Sequence, residues 1–201
     1  MKKIVLVLTL AACVLSGSAF ANDPGDMDRN NIGIYLNQAG IGNCGAIDAN
    51  IPFTVFVVLT RLSNPEVWGW ESKFVFENIL SLGVTPNGEY IDAGTRDGEH
   101  IVGLSMPLMA MNQTVVVAEM DLMVSGALND VTQPSNVYIE GIYFSLLDNG
   151  QPAYLDVSGS NGVALWQAIS GPETPQLSMN GDCVPVAVEA SSWGNLKSLY
   201  R

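Results

Sequence analysis

The sequence predicts an all-β fold in which two sheets pack face to face as a sandwich. Short apolar stretches, separated by Gly, Asn, Asp and Pro, follow one another from residue 32 to residue 189. The 201 residues include 20 Gly and 10 Pro, and no long segment has apolar residues at helical spacing. Short strands with frequent turn signals are typical of antiparallel sandwiches. We therefore expect one sandwich domain over residues 32–189.

The N-terminus has the pattern of a secretory signal peptide over residues 1–21. Lys2 and Lys3 precede an apolar run, and Ala19–Ala21 forms an Ala-x-Ala cleavage site. The run is shorter than the roughly 20 apolar residues of a membrane-spanning helix, so we expect no transmembrane span in the mature chain. Lipidation at Cys13, which ends a lipobox-like segment, is the alternative. Simple cleavage is favoured because lipidation leaves the alanine site unexplained.

The charge of the chain restricts its partners. It has 8 basic and 20 acidic residues, a net charge of −12, and loss of the signal peptide with its two lysines changes this to −14. Nucleic-acid binding depends on Lys and Arg side chains that neutralise phosphates, and an acidic surface repels polyanions. We expect no nucleic-acid partner. The signal peptide predicts an exported protein, located outside the cell, on its surface or in the periplasm.

An exposed acidic leader over residues 22–31 precedes about nine candidate strands. These are Ile32–Leu36, Phe53–Thr60, Val67–Phe76, Ile79–Val84, Ile101–Ser105, Thr114–Val124, Val137–Leu147, Tyr154–Val157 and Val184–Val188. The second candidate is apolar on both faces, as expected for a central strand. Pro185 makes the last candidate an edge strand or places a bulge in it.

Two of the candidates show strict alternation, the period of a half-buried strand. In Val67–Phe76 one face carries Ser72 and the residues Trp68, Trp70, Phe74 and Phe76. We expect the two tryptophans in the core or, at the beginning of the strand, half-exposed at a sheet edge. Glu71 and Lys73 occupy the opposite, solvent-facing side. In Thr114–Val124 we expect Glu119 and Asp121 outward and, on the inner face, Val116, Ala118, Met120, Leu122 and Val124.

Two cysteines, Cys44 and Cys183, remain after cleavage of the signal. An even pair in an exported chain predicts one disulfide. It would close a loop of about 140 residues, worth on the order of 4–5 kcal/mol in the chain-entropy model. Two free thiols are the alternative, and a metal site is disfavoured because only His100 could join them.

No catalytic, metal or cofactor site is indicated, and we expect no enzymatic activity. His100 is the only histidine, and no Gly-x-Ser-x-Gly segment offers a nucleophile. We expect this histidine in an exposed loop or at a strand end. Asp26, Asp28 and Asn30 match the first positions of a calcium loop, but Asn37 stands where the bidentate acid is required.

Trp166 lies in the less regular segment 162–171. A core position is favoured for its ring, because large aromatic side chains stabilise mainly by burial. An exposed ring that stacks on a sugar is the alternative.

The C-terminal tail, residues 190–201, combines cationic and apolar side chains. Its large apolar residues fall at helical spacing: Trp193, Leu196, Leu199 and Tyr200. Ser191 or Ser192 could cap a short helix. The tail is interpreted either as a helix that docks on the sandwich or as a recognition or sorting tag. The tag would present Trp193, Lys197, Tyr200 and Arg201.

The segment VWGWESKFVFENILSLGV, beginning at Val67, resembles a strand pair of cohesin-like modules. PFTVFVVLTRLSNPEV resembles the preceding strand and turn of those modules, and TVVVAEMDLMV resembles a late strand. The resemblance covers residues 51–147 and implies a nine-stranded jelly roll that serves as an extracellular attachment module, alongside related carbohydrate-binding domains. Glu77-Asn78-Ile79 replaces the usual Asp-Pro, and no partner-binding residue can be transferred.

The C-terminus, GDCVPVAVEASSWGNLKSLYR, is similar to the end of a group of uncharacterised exported proteins from environmental Gram-negative bacteria. These proteins share Asn-Gly-Asp-Cys and a terminal Trp-Gly-x-x-Lys-x-x-aromatic-Arg. The resemblance implies export and no particular activity.

These patterns together predict an exported, non-enzymatic module for structural or attachment contact with a protein partner at the cell envelope. A carbohydrate-binding module with a glycan partner is the alternative. Coplanar exposed aromatic rings on one sheet face would favour the carbohydrate-binding module.

Overall fold

The computed structural model describes residues 30–124, 133–143, 145, 147, 150–156, 162–169 and 174–181. In this part of the chain there are thirteen strands and no helix. The strands are β1 (Asn31–Tyr35), β2 (Cys44–Gly45), β3 (Pro52–Thr60), β4 (Glu66–Glu77), β5 (Leu80–Pro86), β6 (Tyr90–Asp92), β7 (Glu99–Met109), β8 (Val115–Met123), β9 (Ser135–Glu140), β10 (Ala153–Leu155), β11 (Gly162–Ala164), β12 (Trp166–Gln167) and β13 (Leu177–Met179).

The strands form two sheets. Sheet A has the order β12-β1-β3-β8-β5, and its pairs are antiparallel except for the parallel pair of β1 and β12. Sheet B is built around β4, which pairs with β7 along one edge and with β9 and β10 along the other. On the first side, β6 pairs with the outer edge of β7. On the other side, β11 pairs with β10, and β13 pairs with β9 and then with β2. The predicted all-β, two-sheet fold is confirmed.

The core lies between the sheets and is almost entirely apolar. Sheet A contributes the fully buried side chains of Ile32, Ile34, Val55, Val57, Leu59, Met120 and Leu122. Sheet B contributes Trp70, Phe74, Val102, Val137, Ile139 and Tyr154, none more than 3 % exposed. Burial of each large side chain is worth about 1.5–3 kcal/mol, so this layer is the main source of stability.

A bulge in β8 changes the predicted alternation of that strand. The register passes from Val57↔Ala118 to Val58↔Val116, which leaves Val117 as an extra residue. An inserted residue reverses the alternation on one side of the bulge. Val117 is therefore fully buried and Val116 only half-buried, so the prediction for Val116 is wrong. The inward positions of Ala118, Met120, Leu122 and Val124 are confirmed.

A larger irregularity interrupts the pairing of β4 with β7. Gly69 pairs with Gly103, but Val67 pairs with Leu108, so the segment 104–107 bulges out opposite Trp68. Val67 is consequently fully buried in the core, whereas Trp68 is half-buried and outside it. Trp68 therefore does not share the inner face with Trp70, and of the two positions expected for it the half-exposed one at the beginning of the strand is the one observed.

Five strands were not predicted from the sequence: β2, β6, β11, β12 and β13. Each has only two or three residues, too few for alternation to be visible. The candidate Val137–Leu147 ends in the structure at Glu140. At the next residue, Gly141, the backbone passes so close to the carbonyl oxygen of Gly150 that no Cβ would fit. The candidate Val184–Val188 lies outside the described residues.

The first described residues differ slightly from the prediction. β1 begins at Asn31, which is 7 % exposed, so the end of the leader is buried strand rather than exposed chain. The carboxamide oxygen of Asn30 accepts hydrogen bonds from the Ser63 backbone N–H at 2.8 Å and the Tyr154 hydroxyl at 3.3 Å. The signal peptide, the rest of the leader, Cys183 and the tail lie outside the described residues. No helix in the described ranges is long and apolar enough to cross a membrane.

Candidate functional site

The outer face of sheet B carries an open cleft of about 310 Å³. Its lining residues are Trp70, Glu71, Ile101, Val102, Gly103, Ala153, Tyr154 and Leu155, from β4, β7 and β10. The side chains of Trp70, Val102 and Tyr154 belong to the core. Since side chains alternate along a strand, the residues next to them face outward and form the cleft.

Two glycines account for the shape of the cleft. Gly69 and Gly103 are directly paired across β4 and β7, with Ile91 of β6 beside Gly103 and Leu155 of β10 beside Gly69. A Cβ at Gly103 would meet nothing within 4 Å. The surface is bare above Gly103, whereas a Cβ at Gly69 would come within 3.3 Å of Leu155 Cδ1 and still closer to the Val102 carbonyl oxygen. Adjacent strands are about 4.8 Å apart, so the gap above Gly103 is wide enough for one side chain of a partner.

Glu71 lies in the next outward-facing row, between Ile101 and Ala153. It points outward, as predicted, but it is only 2 % exposed rather than solvated. The Ser145 hydroxyl donates a hydrogen bond of 2.5 Å to its Oε1. Ser145 lies between β9 and β10 in the chain. A carboxylate buried beside an apolar cleft is costly unless it is hydrogen-bonded, as Glu71 is here.

Further charged groups surround this face. Lys73 forms an ion pair of 2.9 Å with Glu140 of β9. Glu99 accepts a 3.0 Å hydrogen bond from the backbone N–H of Tyr143, and the guanidinium of Arg96 lies 3.9 Å from the centre of the Tyr143 ring. These contacts anchor the chain that follows β9 against the sheet.

A polar cluster occupies the far end of β4. The side-chain amide of Asn136 and the hydroxyl of Tyr138 donate to Glu77 Oε2 at 3.0 and 2.8 Å. These two hydrogen bonds lower the pKa of Glu77. Partial burial and the neighbouring carboxylate raise the pKa of Tyr138. The cluster ties β4 to β9 but leaves Glu77 in solvent.

Asp92 and His100 lie in sheet B, at the edge of the face that packs against sheet A. Asp92 Oδ2 is 2.7 Å from His100 Nδ1, and Asp92 Oδ1 accepts the backbone N–H groups of Gly94 and Ile101, both at 3.0 Å. Burial raises the pKa of Asp92, but these hydrogen bonds outweigh it and leave the pKa lowered. His100 is at a strand end, as predicted. It is not exposed, because its ring packs against Trp70.

Ser72 stands opposite His100 in the register of β4 and β7, which brings a serine, a histidine and an aspartate together. Ser72 is fully buried, and its hydroxyl has no hydrogen-bond partner among the described residues. Nucleophilic catalysis requires a serine that contacts both its base and a substrate. The geometry provides neither contact.

Three exposed aromatic side chains of the described residues lie in separate places. Tyr90 is in β6, Tyr143 follows β9 and Trp166 is in β12, with exposures of 42, 67 and 40 %. The prediction that Trp166 is a core residue is wrong, because β12 is a two-residue strand at the edge of sheet A, where β1 is its one partner among the described strands. The contacts between aromatic rings found in the described ranges involve Trp70, Phe74 and His100 instead.

The other sequence-predicted site residues are only partly described. Cys44 lies in β2, where it pairs with Ser178 of the parallel strand β13. Cys183 lies five residues beyond Ser178 and outside the described residues, so their disulfide stays a prediction. The tail residues Trp193, Lys197, Tyr200 and Arg201 also lie outside. Within the described ranges no three His, Cys, Asp or Glu residues are placed to hold a metal ion.

The cleft itself was not predicted from the sequence. Its signal was the presence of Gly69 and Gly103 within strands, where glycine often marks a close approach of another molecule or backbone. Recognising it requires the register that pairs them.

Comparisons with known proteins identify the fold. No family model and no curated protein matches the sequence. The sixth cohesin of scaffoldin B from Acetivibrio cellulolyticus, solved in complex with a Cel5 dockerin, has a TM-score of 0.51 at 13 % identity, covering 76 % of this chain and 99 % of that one.

Two further cohesins show weaker structural similarity. The cohesin module of a family 33 glycoside hydrolase from Clostridium perfringens has a TM-score of 0.47 at 10 % identity, covering 68 % of this chain and 90 % of that one. The seventh ScaB type I cohesin from Pseudobacteroides cellulosolvens has a TM-score of 0.46 at 10 % identity, covering 79 and 94 %. The Acetivibrio structure supports the resemblance seen in the sequence: this chain has a cohesin-like β-sandwich fold.

Proposed function

We propose that this protein is a non-enzymatic attachment module that binds a protein partner through the outer face of sheet B. The observation that carries this proposal is the open cleft above Gly103, with the buried carboxylate of Glu71 beside it. Binding sites are usually concave, mostly apolar and equipped with a few polar groups that fix the orientation of the ligand. The cleft has this composition.

The chemistry of the cleft specifies the kind of side chain that it binds. Ile101 and Leu155 provide apolar walls, and Glu71 provides a negative charge. Lys and Arg have apolar stems and cationic heads, so they match both features. We infer that the partner inserts a basic side chain from an exposed loop or helix.

The charge of the whole chain favours the same class of partner. With 20 acidic and 8 basic residues, the protein attracts basic surfaces at long range. Complementary charge raises the rate of association more than the final affinity. The Acetivibrio cohesin of similar fold was solved with a dockerin, a protein ligand, which is consistent with a protein partner here.

We propose that this contact takes place outside the cytoplasm. The support is the signal-peptide pattern over residues 1–21, with its cleavage site at Ala19–Ala21. The mature protein would then begin at Asn22. The intact mass of the protein from its source cells tests this, and a diacylglyceryl group on Cys13 would contradict it.

The tail of residues 190–201 is proposed to contribute to localisation. It holds two basic residues, Lys197 and Arg201, next to large apolar ones. Deletion of the tail should change the fractionation of the protein without lowering its melting temperature. A loss of several degrees with unchanged fractionation would identify the tail as a packed cap, since 1 kcal/mol corresponds to roughly 2–4 °C in a domain of this size.

Photo-cross-linking in the source cells tests the proposed face. A photoreactive amino acid replaces Ile91, which borders the cleft and is 76 % exposed, or Leu82 of sheet A, which is 52 % exposed and serves as the control. A protein adduct is expected from Ile91 and not from Leu82. The additional substitution Ile101→Lys fills the cleft and should abolish the adduct. Adducts from Leu82 alone, or an adduct that survives Ile101→Lys, would overturn the proposal.

A further inference from the structure

Three exposed methionines are concentrated in six residues of the chain. Met106, Met109 and Met111 are 74, 57 and 79 % exposed. The three other methionines in the described ranges behave differently, because Met120 and Met179 are buried in the core and Met123 is half-buried. Methionine is apolar and is usually buried. A group of exposed thioethers therefore needs an explanation.

Met109 and Met111 lie on one arm of a tight hairpin. Met111 and Thr114 exchange two backbone hydrogen bonds of 2.9 and 3.0 Å around a two-residue turn, in which Asn112 and Gln113 have positive φ. The Ala110 N–H donates to the Pro65 carbonyl at 2.7 Å, which holds this arm against the chain before β4. Alternate residues of an extended arm share one side and are about 7 Å apart. The two thioethers therefore emerge together.

Met106 lies in the bulge of β7, the segment 104–107 that has no partner in β4. Three chain steps separate it from Met109, at most about 10 Å between their Cα atoms. The methionine side chain is unbranched and has three rotatable bonds. Its three rotatable bonds allow the sulfur to turn towards Met109 and Met111, and the site proposed below requires this movement.

We propose that Met106, Met109 and Met111 bind one soft monovalent metal ion, Cu(I), through their three thioether sulfurs. Thioethers are soft, neutral ligands that select Cu(I) over hard cations. Glu66 pairs with Met109 in the register of β4 and β7, and its carboxylate already accepts a 3.1 Å hydrogen bond from Trp68 Nε1. Thioethers also carry no proton at ordinary pH. Binding is therefore independent of pH between about 5 and 8, unlike binding by thiol or imidazole ligands, which must lose protons.

Methionine-methyl NMR of the full chain tests the site directly. Silver(I) is the probe, because it has the same softness as Cu(I) and is not oxidised in air. The methyl signals of Met106, Met109 and Met111, assigned by single Met→Leu substitutions, should shift together and saturate at one equivalent at pH 5.5 and pH 7.5. The signals of Met120 and Met179 should not move. Unchanged signals of the exposed group at one equivalent would overturn the proposal.

Competition with a colorimetric Cu(I) chelator measures the contribution of the thioethers. The triple variant M106L/M109L/M111L keeps the volume and apolar character of the side chains, so the fold is preserved. It retains every cysteine and His100, so any difference reports on the thioethers alone. Its Cu(I) affinity should fall at least about tenfold, while Met123→Leu should leave the affinity unchanged. Equal affinities of the triple variant and the unmodified protein would refute the site.

Discussion

β3 and β4 are the central strands of the two sheets, and they differ in what they bury. β3 buries only apolar side chains in its middle, with Val55, Val57 and Leu59 all fully buried. β4 buries the carboxylate of Glu71 and the hydroxyl of Ser72 in addition to its aromatic residues. Both strands are paired along both edges, so the difference lies in their side chains.

This difference separates stability from binding. Burial of apolar side chains stabilises the fold, whereas a buried polar group costs free energy unless it is hydrogen-bonded. β4 places its costly carboxylate beside an open cleft, and β3 has no such group. We infer that sheet A mainly supports the fold and that sheet B carries the binding face. The following substitutions test this division.

The largest effect is expected at the far edge of sheet B. If Cys44 and Cys183 form the predicted disulfide, the variant C44S/C183S should lose up to about 4–5 kcal/mol of unfolding free energy. Urea unfolding with and without a reductant provides the measurement. The stability of the unmodified protein should fall on reduction and that of the double variant should not. An unmodified protein that is insensitive to reductant would contradict the disulfide.

Leu59→Ala in β3 should cost about 2–5 kcal/mol, because it leaves a cavity in the fully buried core. Leu82→Ala is the matched control in the same sheet, and it should change the stability by less than about 0.5 kcal/mol, since Leu82 is half-exposed. Chemical denaturation of both variants checks the pair. Similar losses would show that β3 does not have the role assigned to it.

Asp92→Ala should cost about 1–3 kcal/mol at pH 7, because three donors lose their acceptor. The folded protein lowers the pKa of Asp92. The stability that the Asp92 carboxylate contributes is therefore complete above its pKa in the unfolded chain, about 3.9, and is lost as the pH falls through its lower pKa in the folded protein. As the pH is lowered from 7 to 2, the melting temperatures of the unmodified protein and of Asp92→Ala should converge. A gap that widens towards low pH would be inconsistent with this pKa shift.

Ser72→Ala should have the smallest effect and the opposite sign. The hydroxyl is buried without a hydrogen-bond partner in the described part of the chain, so its removal should stabilise the protein by up to about 1 kcal/mol. Denaturation of the variant and of Ser63→Ala, in which a hydrogen-bonded hydroxyl is lost, should give changes of opposite sign. A destabilised Ser72→Ala would show that this hydroxyl is satisfied.

The sequence predicted the long strands because alternation extends over many residues in each. It did not reveal the bulges at Val117 and at 104–107, since an inserted apolar residue leaves the composition of a strand unchanged. The burial of Glu71 depends on Ser145, 74 residues later in the chain. The cleft depends on the pairing of two glycines from different strands. Such features arise from register, which local patterns do not determine.

The binding role of sheet B is tested most directly by the affinity for the protein cross-linked from Ile91. Calorimetric titration of that partner would compare the unmodified protein with Ile101→Lys on sheet B and Leu82→Lys on sheet A. Both variants add the same charge, so they differ only in the face that is altered. Ile101→Lys should weaken the binding at least about tenfold, or 1.4 kcal/mol, and Leu82→Lys less than about twofold. The reverse order would contradict the assignment of binding to sheet B.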